Sequence, residues 1–214
     1  TIDDFFKKNI FDFFIFFNSN IIANKKVKSL FSKNSKLLLG PEYALIRDEI
    51  IKLKQVLKNK KQSRSIYISA GGIDWKNFSN KILKNINSLS SKYKFKIYIN
   101  NTEKKNNNKN IFYFKNFNHH TKILKKKPIV VGYAGYSSIE RAVMGLTSLS
   151  FKLNNNQDYL YSFLIKNNLT SPLSDFRNKK LMLDLIFKNF NLKKEIKSPY
   201  NLYGKKKVIE KIKA

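Results

Sequence analysis

From Ser65 onward the sequence alternates short apolar runs that stop at glycine with longer spans whose apolar residues recur every three or four positions. Few architectures accept that alternation. Ser65-Ile66-Tyr67-Ile68-Ser69-Ala70 reads as a strand closed by Gly71-Gly72, and Phe78, Ile82, Leu83, Ile86 and Leu89 follow at helical spacing. Phe95-Lys96-Ile97-Tyr98-Ile99 and Ile111-Phe112-Tyr113-Phe114 are further strands, separated by a polar loop from Asn101 to Asn110 that the composition predicts to be mobile. A short polar helix around His119 to Lys127 leads to the strand Pro128-Ile129-Val130-Val131-Gly132, then to Gly135 and a helix carrying Ile139, Val143 and Met144. A strand from Leu146 to Leu153 and a helix over Asp158 to Lys166 follow. Apolar strands joined by amphipathic helices predict an α/β fold, a Rossmann-like parallel sheet with helices on both faces. Ligands of such sheets sit at the carboxyl ends of the strands.

Before residue 60 the texture differs. Phe5, Phe6, Phe11, Phe13, Phe14, Phe16 and Phe17 crowd aromatic area into one stretch, which either a partner domain or the rest of this chain must cover. The chain starts with Thr, and Ile2-Asp3-Asp4 reads like a strand end running into a loop, so the sequence looks entered midway. Leu37-Leu38-Leu39 ends at the breaker pair Gly40-Pro41, and Ile50, Ile51, Leu53 and Leu57 set up a helix. Residues 1–60 are therefore read as an interdomain segment and linker, and 61–214 as one domain.

Forty-three basic and 14 acidic residues give a net charge of +29, which would favour contact with phosphates. Yet the excess is almost all Lys and accompanies abundant Asn, Ile and Phe, the bias that an AT-rich coding sequence imposes. Arg, the residue of bidentate phosphate and base recognition, occurs only at 47, 64, 141 and 177. Nucleic acid is not the expected partner, although a Lys-rich nucleic-acid-binding protein stays an alternative. With no Cys there are no disulfides, thiolate zinc sites or Cys nucleophile. The longest unbroken aliphatic and aromatic run, Phe13 to Phe17, is far short of the ~20 residues of a spanning helix. A cytoplasmic protein with no membrane span is expected.

Three groups of polar residues fall at predicted strand ends. In Ser69-Ala70-Gly71-Gly72-Ile73-Asp74, two glycines let backbone N–H groups approach an anion, and the next helix offers its positive end; an ordinary tight turn uses the same letters. In Gly135-Tyr136-Ser137-Ser138-Ile139-Glu140, Gly135 permits close approach, while Ser137 and Glu140 have the spacing of a capping box. The two uses are compatible. Asn154-Asn155-Asn156-Gln157 carry amides suited to sugar hydroxyls and acetamido groups. His119 and His120, adjacent on a helix, point apart and read as surface residues. No metal cluster, Walker loop or Ser-His-Asp arrangement assembles, and no metal or cofactor is expected.

Taken in order, Ile2-Asp3-Asp4, Leu38-Leu39-Gly40-Pro41-Glu42-Tyr43-Ala44-Leu45-Ile46-Arg47, Gly71-Gly72-Ile73-Asp74, Gly135-Tyr136-Ser137-Ser138-Ile139-Glu140-Arg141, Asn156-Gln157 and Tyr203-Gly204 resemble the UDP-sugar hydrolase family of pseudaminic acid biosynthesis. The Gly-Pro-x-Tyr-Ala-Leu-x-Arg block is the most specific of these. The resemblance implies the linker and carboxyl-terminal half of a GT-B fold, with 61–214 as the nucleotide-sugar domain. It implies hydrolysis of a UDP-linked diacetamido-trideoxyhexose to UDP and free sugar. A GT-B glycosyltransferase half using a UDP-sugar donor is the alternative. Gly71, Gly72, Gly135, Tyr136, Ser137, Ser138 and Glu140 would hold UDP, with Glu140 near the ribose, and Arg47, Asn156 and Gln157 would face the sugar. The family's proposed base, a His in a Gly-x-Gly-His motif, has no counterpart here, so the general base is expected on an amino-terminal domain. Ile73 and Tyr136 replace smaller residues of the family's pattern, and Tyr136 either crowds the phosphate or stacks on the ligand.

Overall fold

A computed structural model describes residues 15–18, 29, 31, 35–71, 74, 77–100, 108–114, 117–175, 177–191 and 196–213. Ile2-Asp3-Asp4, the phenylalanines up to Phe14, Gly72, Ile73 and most of the Asn101 to Asn110 loop lie outside the described residues. Strands β1 (Ile15–Asn18) and β2 (Lys36–Leu39) pair in parallel as a separate two-stranded sheet. A 3-10 turn, Pro41–Tyr43, and helix α1 (Asp48–Leu57) lead into the main domain.

There the chain runs β3 (Ser65–Ser69), α2 (Phe78–Lys92), β4 (Lys96–Asn100), β5 (Ile111–Phe114), α3 (Phe117–Leu124) and β6 (Ile129–Tyr133). It continues through α4 (Tyr136–Val143), β7 (Ser148–Phe151), a 3-10 turn (Asn155–Gln157), α5 (Asp158–Lys166), β8 (Ser171–Pro172), α6 (Lys179–Asn191) and α7 (Gly204–Lys213). Every pairing in this sheet is parallel, and the strand order is β5-β4-β3-β6-β7-β8. The predicted Rossmann-like α/β domain is what the chain forms.

Period-two alternation sends side chains of each strand to opposite faces. Ile66, Ile68, Ile97, Ile99, Ile129 and Val131 pack with Phe78, Ile82 and Ile86 of α2 and with Met182 and Ile186 of α6. Tyr67, Tyr98 and Val130, one step out of phase, pack with buried residues of α1, α3, α4 and α5. Both faces are covered, as a parallel sheet requires. The chain moves outward from β3 to β5, returns to the other side of β3 with β6, and moves outward again to β8. That reversal separates the connections leaving β3 and β6, and a crevice opens at their carboxyl ends.

Helix α7 and the segment before it close back on the 3-10 turn after β2. The Asn201 amide donates to the Pro41 carbonyl at 3.0 Å, Lys207 pairs with Glu42 at 3.0 Å, and Val208 packs on Leu38. Gly204 makes the approach feasible, because a Cβ there would lie 2.3 Å from the Ala44 carbonyl oxygen. Gly204→Ala is expected to lower unfolding free energy by about 1–3 kcal/mol through overpacking against backbone, read as a lower urea midpoint at unchanged m-value. An unchanged midpoint would mean that α7 shifts away without loss.

Candidate functional site

Strand β6 ends at Tyr133, and after the fully buried Ala134 the backbone turns at Gly135, the N-cap of α4. Among the described residues no side chain caps this helix, whose first-turn N–H groups lie at the carboxyl end of β6; the Ser138 amide is already bonded to the Gly135 carbonyl at 2.9 Å. A Cβ at Gly135 would meet no atom within 4 Å, so the glycine leaves the approach to those donors open. Across the reversal, Gly71 follows β3 with φ +78°, a backbone state that favours glycine, and it too faces open space. The helix after it is less available than the sequence suggested. Asp74 accepts the Ser79 amide at 3.1 and 3.3 Å, so a carboxylate of the chain already occupies the amino end of α2.

The predicted capping box does not form. Helix α4 starts two residues early, at Tyr136 with Gly135 as its N-cap, and Glu140 turns instead to a partner 93 residues away. Arg47 Nε donates to Glu140 Oε1 at 2.7 Å and Nη2 to Oε2 at 2.9 Å. This bidentate, charge-assisted pair outweighs a local bond to one backbone amide. The hydrogen bond from Arg47 to Glu140 is the largest cause of the raised Arg47 pKa. Tyr136, expected to crowd or stack on a ligand, accepts the Leu45 amide through its hydroxyl at 2.8 Å. Three hydrogen bonds therefore fasten the Pro41 to Arg47 segment to α4.

Ser138 is buried, and its hydroxyl donates to the Gly135 carbonyl, which fixes the turn. Ser137 Oγ accepts from Arg141 Nη1 at 3.2 Å. Arg141 itself is buried, at 3% exposure, with Nη2 donating to the Tyr133 carbonyl at 2.8 Å and, among the described residues, no hydrogen-bond partner at Nε. Burial lowers its pKa to about 10, against the favourable nearness of Tyr67 and Glu140, so it stays charged at neutral pH.

His120, expected on the surface, is half-buried and lies 2.7 Å through Nδ1 from the Tyr67 hydroxyl. Burial, followed by the nearby Arg47 and Arg141 charges, lowers its pKa to about 4. Its place was readable, since His120 lies three and four residues before Ile123 and Leu124, the buried stripe of α3. Tyr67, Ser69, His120, Ser137, Glu140 and Arg141 line a cavity of about 10 Å³ under the crevice. Arg141, His120 and Tyr67 are the members that the motif reading missed.

Asn155–Gln157 sit past β7 at the same edge of the sheet, and Gln157 Oε1 accepts the Leu153 amide at 2.8 Å. The Asn156 side chain, like Gly72, lies outside the described residues. Gly71, Gly135, Tyr136, Ser137, Glu140 and Arg47 thus gather at the carboxyl ends of β3 and β6, with Gln157 beyond β7. Fixed backbone donors beside an uncapped helix end suit an anion, and the adjoining carboxylate suits hydroxyl donors. Among the described residues, no group of three or more His, Asp or Glu could hold a metal ion.

No family model matches the sequence. An uncharacterized protein of Methanocaldococcus jannaschii is 24% identical over 70% of this chain and 34% of its own length. In fold, the chain is similar to the UDP-GlcNAc 2-epimerase of Methanocaldococcus jannaschii, solved with UDP-GlcNAc and UDP. The TM-score is 0.54 at 12% identity, over 81% of this chain and 50% of that one. A glycotransferase of kitacinnamycin gives a TM-score of 0.49 at 9% identity, over 60% of this chain and 35% of that one. The chain thus spans between a third and a half of the length of these proteins.

The lowered His120 pKa fixes a pH dependence. Between about 6.5 and about 4 the unfolded chain protonates this imidazole and the folded chain does not, so stability falls as pH drops through that window. His120→Gln is expected to flatten this limb of the stability–pH curve, measured by urea unfolding at several pH values. An unaltered limb would show that His120 titrates normally.

Proposed function

We propose that this chain is the nucleotide-binding half of an enzyme that hydrolyses a UDP-linked diacetamido-trideoxyhexose to UDP and free sugar. The observation that carries the reading is the open Gly135 turn before the uncapped amino end of α4, at the strand-order reversal, with the Glu140 carboxylate in the same helix's next turn. The resemblance supplies the identity of the nucleotide and sugar, and the 2-epimerase likeness supports the fold such a half needs.

In this reading the diphosphate lies over Gly71 and Gly135, where Tyr136 and Ser137 offer backbone N–H groups. Glu140 faces the ribose, and Asn156 and Gln157 lie on the side of the sugar. Water attacks the anomeric carbon, the bond to the diphosphate oxygen breaks, and UDP leaves with the electron pair. Donors already fixed by the fold stabilise the charge that develops on the leaving group. The water's proton goes to a base on an amino-terminal domain, where the resemblance puts it. Transfer of the sugar to an acceptor would use the same donor half, and a glycosylated acceptor in place of free sugar would decide for it.

Among the described residues no helix is long and apolar enough to cross a membrane. Calorimetric titration is expected to show saturable UDP binding, weaker UMP binding, and little change between two salt concentrations. Gly135→Val should weaken UDP binding about tenfold or more, the loss of about 1.4 kcal/mol that one obstructed charge-assisted hydrogen bond brings. A folded chain that ignores UDP and binds a short RNA with a steep salt dependence would replace this reading with the nucleic-acid one.

A further inference from the structure

We infer that Arg47 is a positioning residue for ribose recognition: it orients the Glu140 carboxylate toward the two ribose hydroxyls of the nucleotide. The inference rests on the nucleotide reading above, and it moves Arg47 from the transferred sugar to the nucleoside.

The geometry carries it. A carboxylate on a helix can rotate about its side-chain bonds, but both Glu140 oxygens are held, at 2.7 and 2.9 Å, by two nitrogens of one planar guanidinium. That fork fixes the plane of the carboxylate as well as its position. Each oxygen engages one lone pair toward Arg47 and keeps another, so the far edge offers two acceptors, the number that a vicinal diol needs. Glu140 is buried in Arg141's company, with 9% of its side chain exposed, so its accessible edge is narrow and its direction matters.

Arg47 is itself held in place. Ala44 and Ile46 are buried at 0% and 2% exposure, and the Leu45 amide is bonded to Tyr136 on α4's first turn. The backbone leading into Arg47 is therefore anchored through three consecutive residues. Its side chain, 43% exposed, grips Glu140 at the border of the crevice. Lys could supply the charge at this place but not the planar fork that fixes the carboxylate's plane.

The test is calorimetric titration with UDP and with 2′,3′-dideoxyuridine diphosphate, which lacks both hydroxyls. The proteins are the wild type, R47M, R47K, E140Q and the double variant R47M/E140Q. The wild type is expected to prefer UDP about tenfold or more, as two hydrogen bonds to a charged acceptor imply. R47M and E140Q should each reduce the preference to about threefold or less and leave dideoxy affinity within about twofold, with no further loss in the double variant. R47K should recover part of the preference. A general loss of folding would remove active protein without changing the ratio of the two dissociation constants, so the ratio isolates positioning.

Equal weakening of both nucleotides by R47M would place Arg47 on the diphosphate and overturn the inference. An unchanged preference in R47M, or no ribose preference in the wild type, would overturn it as well. A folded wild type that binds neither nucleotide would overturn the nucleotide reading and this inference together, a result distinct from the others.

Discussion

A guanidinium enclosed by protein at the point where the strand order reverses sets the terms for everything around it. Arg141 keeps its charge only if polar groups replace the water it has lost. The Tyr133 carbonyl at the end of β6 and the Ser137 hydroxyl in α4 do so directly, and Ser150 on β7 lies at 3.5 Å within a hydroxyl chain that continues to Thr170 and Ser148. Gly132 makes room, since a Cβ there would stand 2.3 Å from the Ser69 carbonyl and 3.4 Å from Arg141 Nη1. Glu140 contributes the neighbouring negative charge and passes the constraint outward to Arg47. One buried cation thus locks two strands, a helix start and a remote segment into a single polar unit at the crevice.

The distribution of charge separates this unit from the rest of the chain. Among the described residues, Glu140 and Arg141 are the only buried charged side chains, while the lysines are partly or fully exposed. Two lysines have structural work: Lys54 Nζ donates to the Val143 carbonyl at 2.9 Å, and Lys127 Nζ to the Leu57 carbonyl at 3.3 Å. Both lie at helix carboxyl ends, where cations are favoured. A positive charge of +29 is therefore mainly a property of the surface, and the selective chemistry sits where Arg, Glu and glycine converge.

The sheet and most of its helices were legible because strands such as Ile66-Tyr67-Ile68 and Ile129-Val130-Val131 carry unbroken β-favouring runs between glycine stops. The Ile111–Phe114 strand and the Asp158–Lys166 helix were readable to the residue. β8 was not, because two residues, one of them Pro172, give no periodic signal and survive only as an edge strand. α6 was hidden for the opposite reason: Met182, Ile186 and Asn189 form its buried stripe, but Leu181, Leu183, Leu185 and Phe187 blur it. In the site, local patterns misled where long-range charge prevailed. Ser137 and Glu140 spell a capping box, and nothing adjacent to them announces that Arg47 will take the carboxylate.

The central claim is that the β3 and β6 carboxyl edge receives a nucleoside diphosphate. Amide-resolved NMR of the chain titrated with UDP tests it most directly. The account predicts that the largest and saturable shifts fall on Gly71, Gly135, Tyr136 and Ser137, together with the Arg47 side-chain Nε–H. Shifts confined to the lysine-bearing faces of α1 and α7, or the absence of any shift at Gly135 in a folded chain, would contradict it.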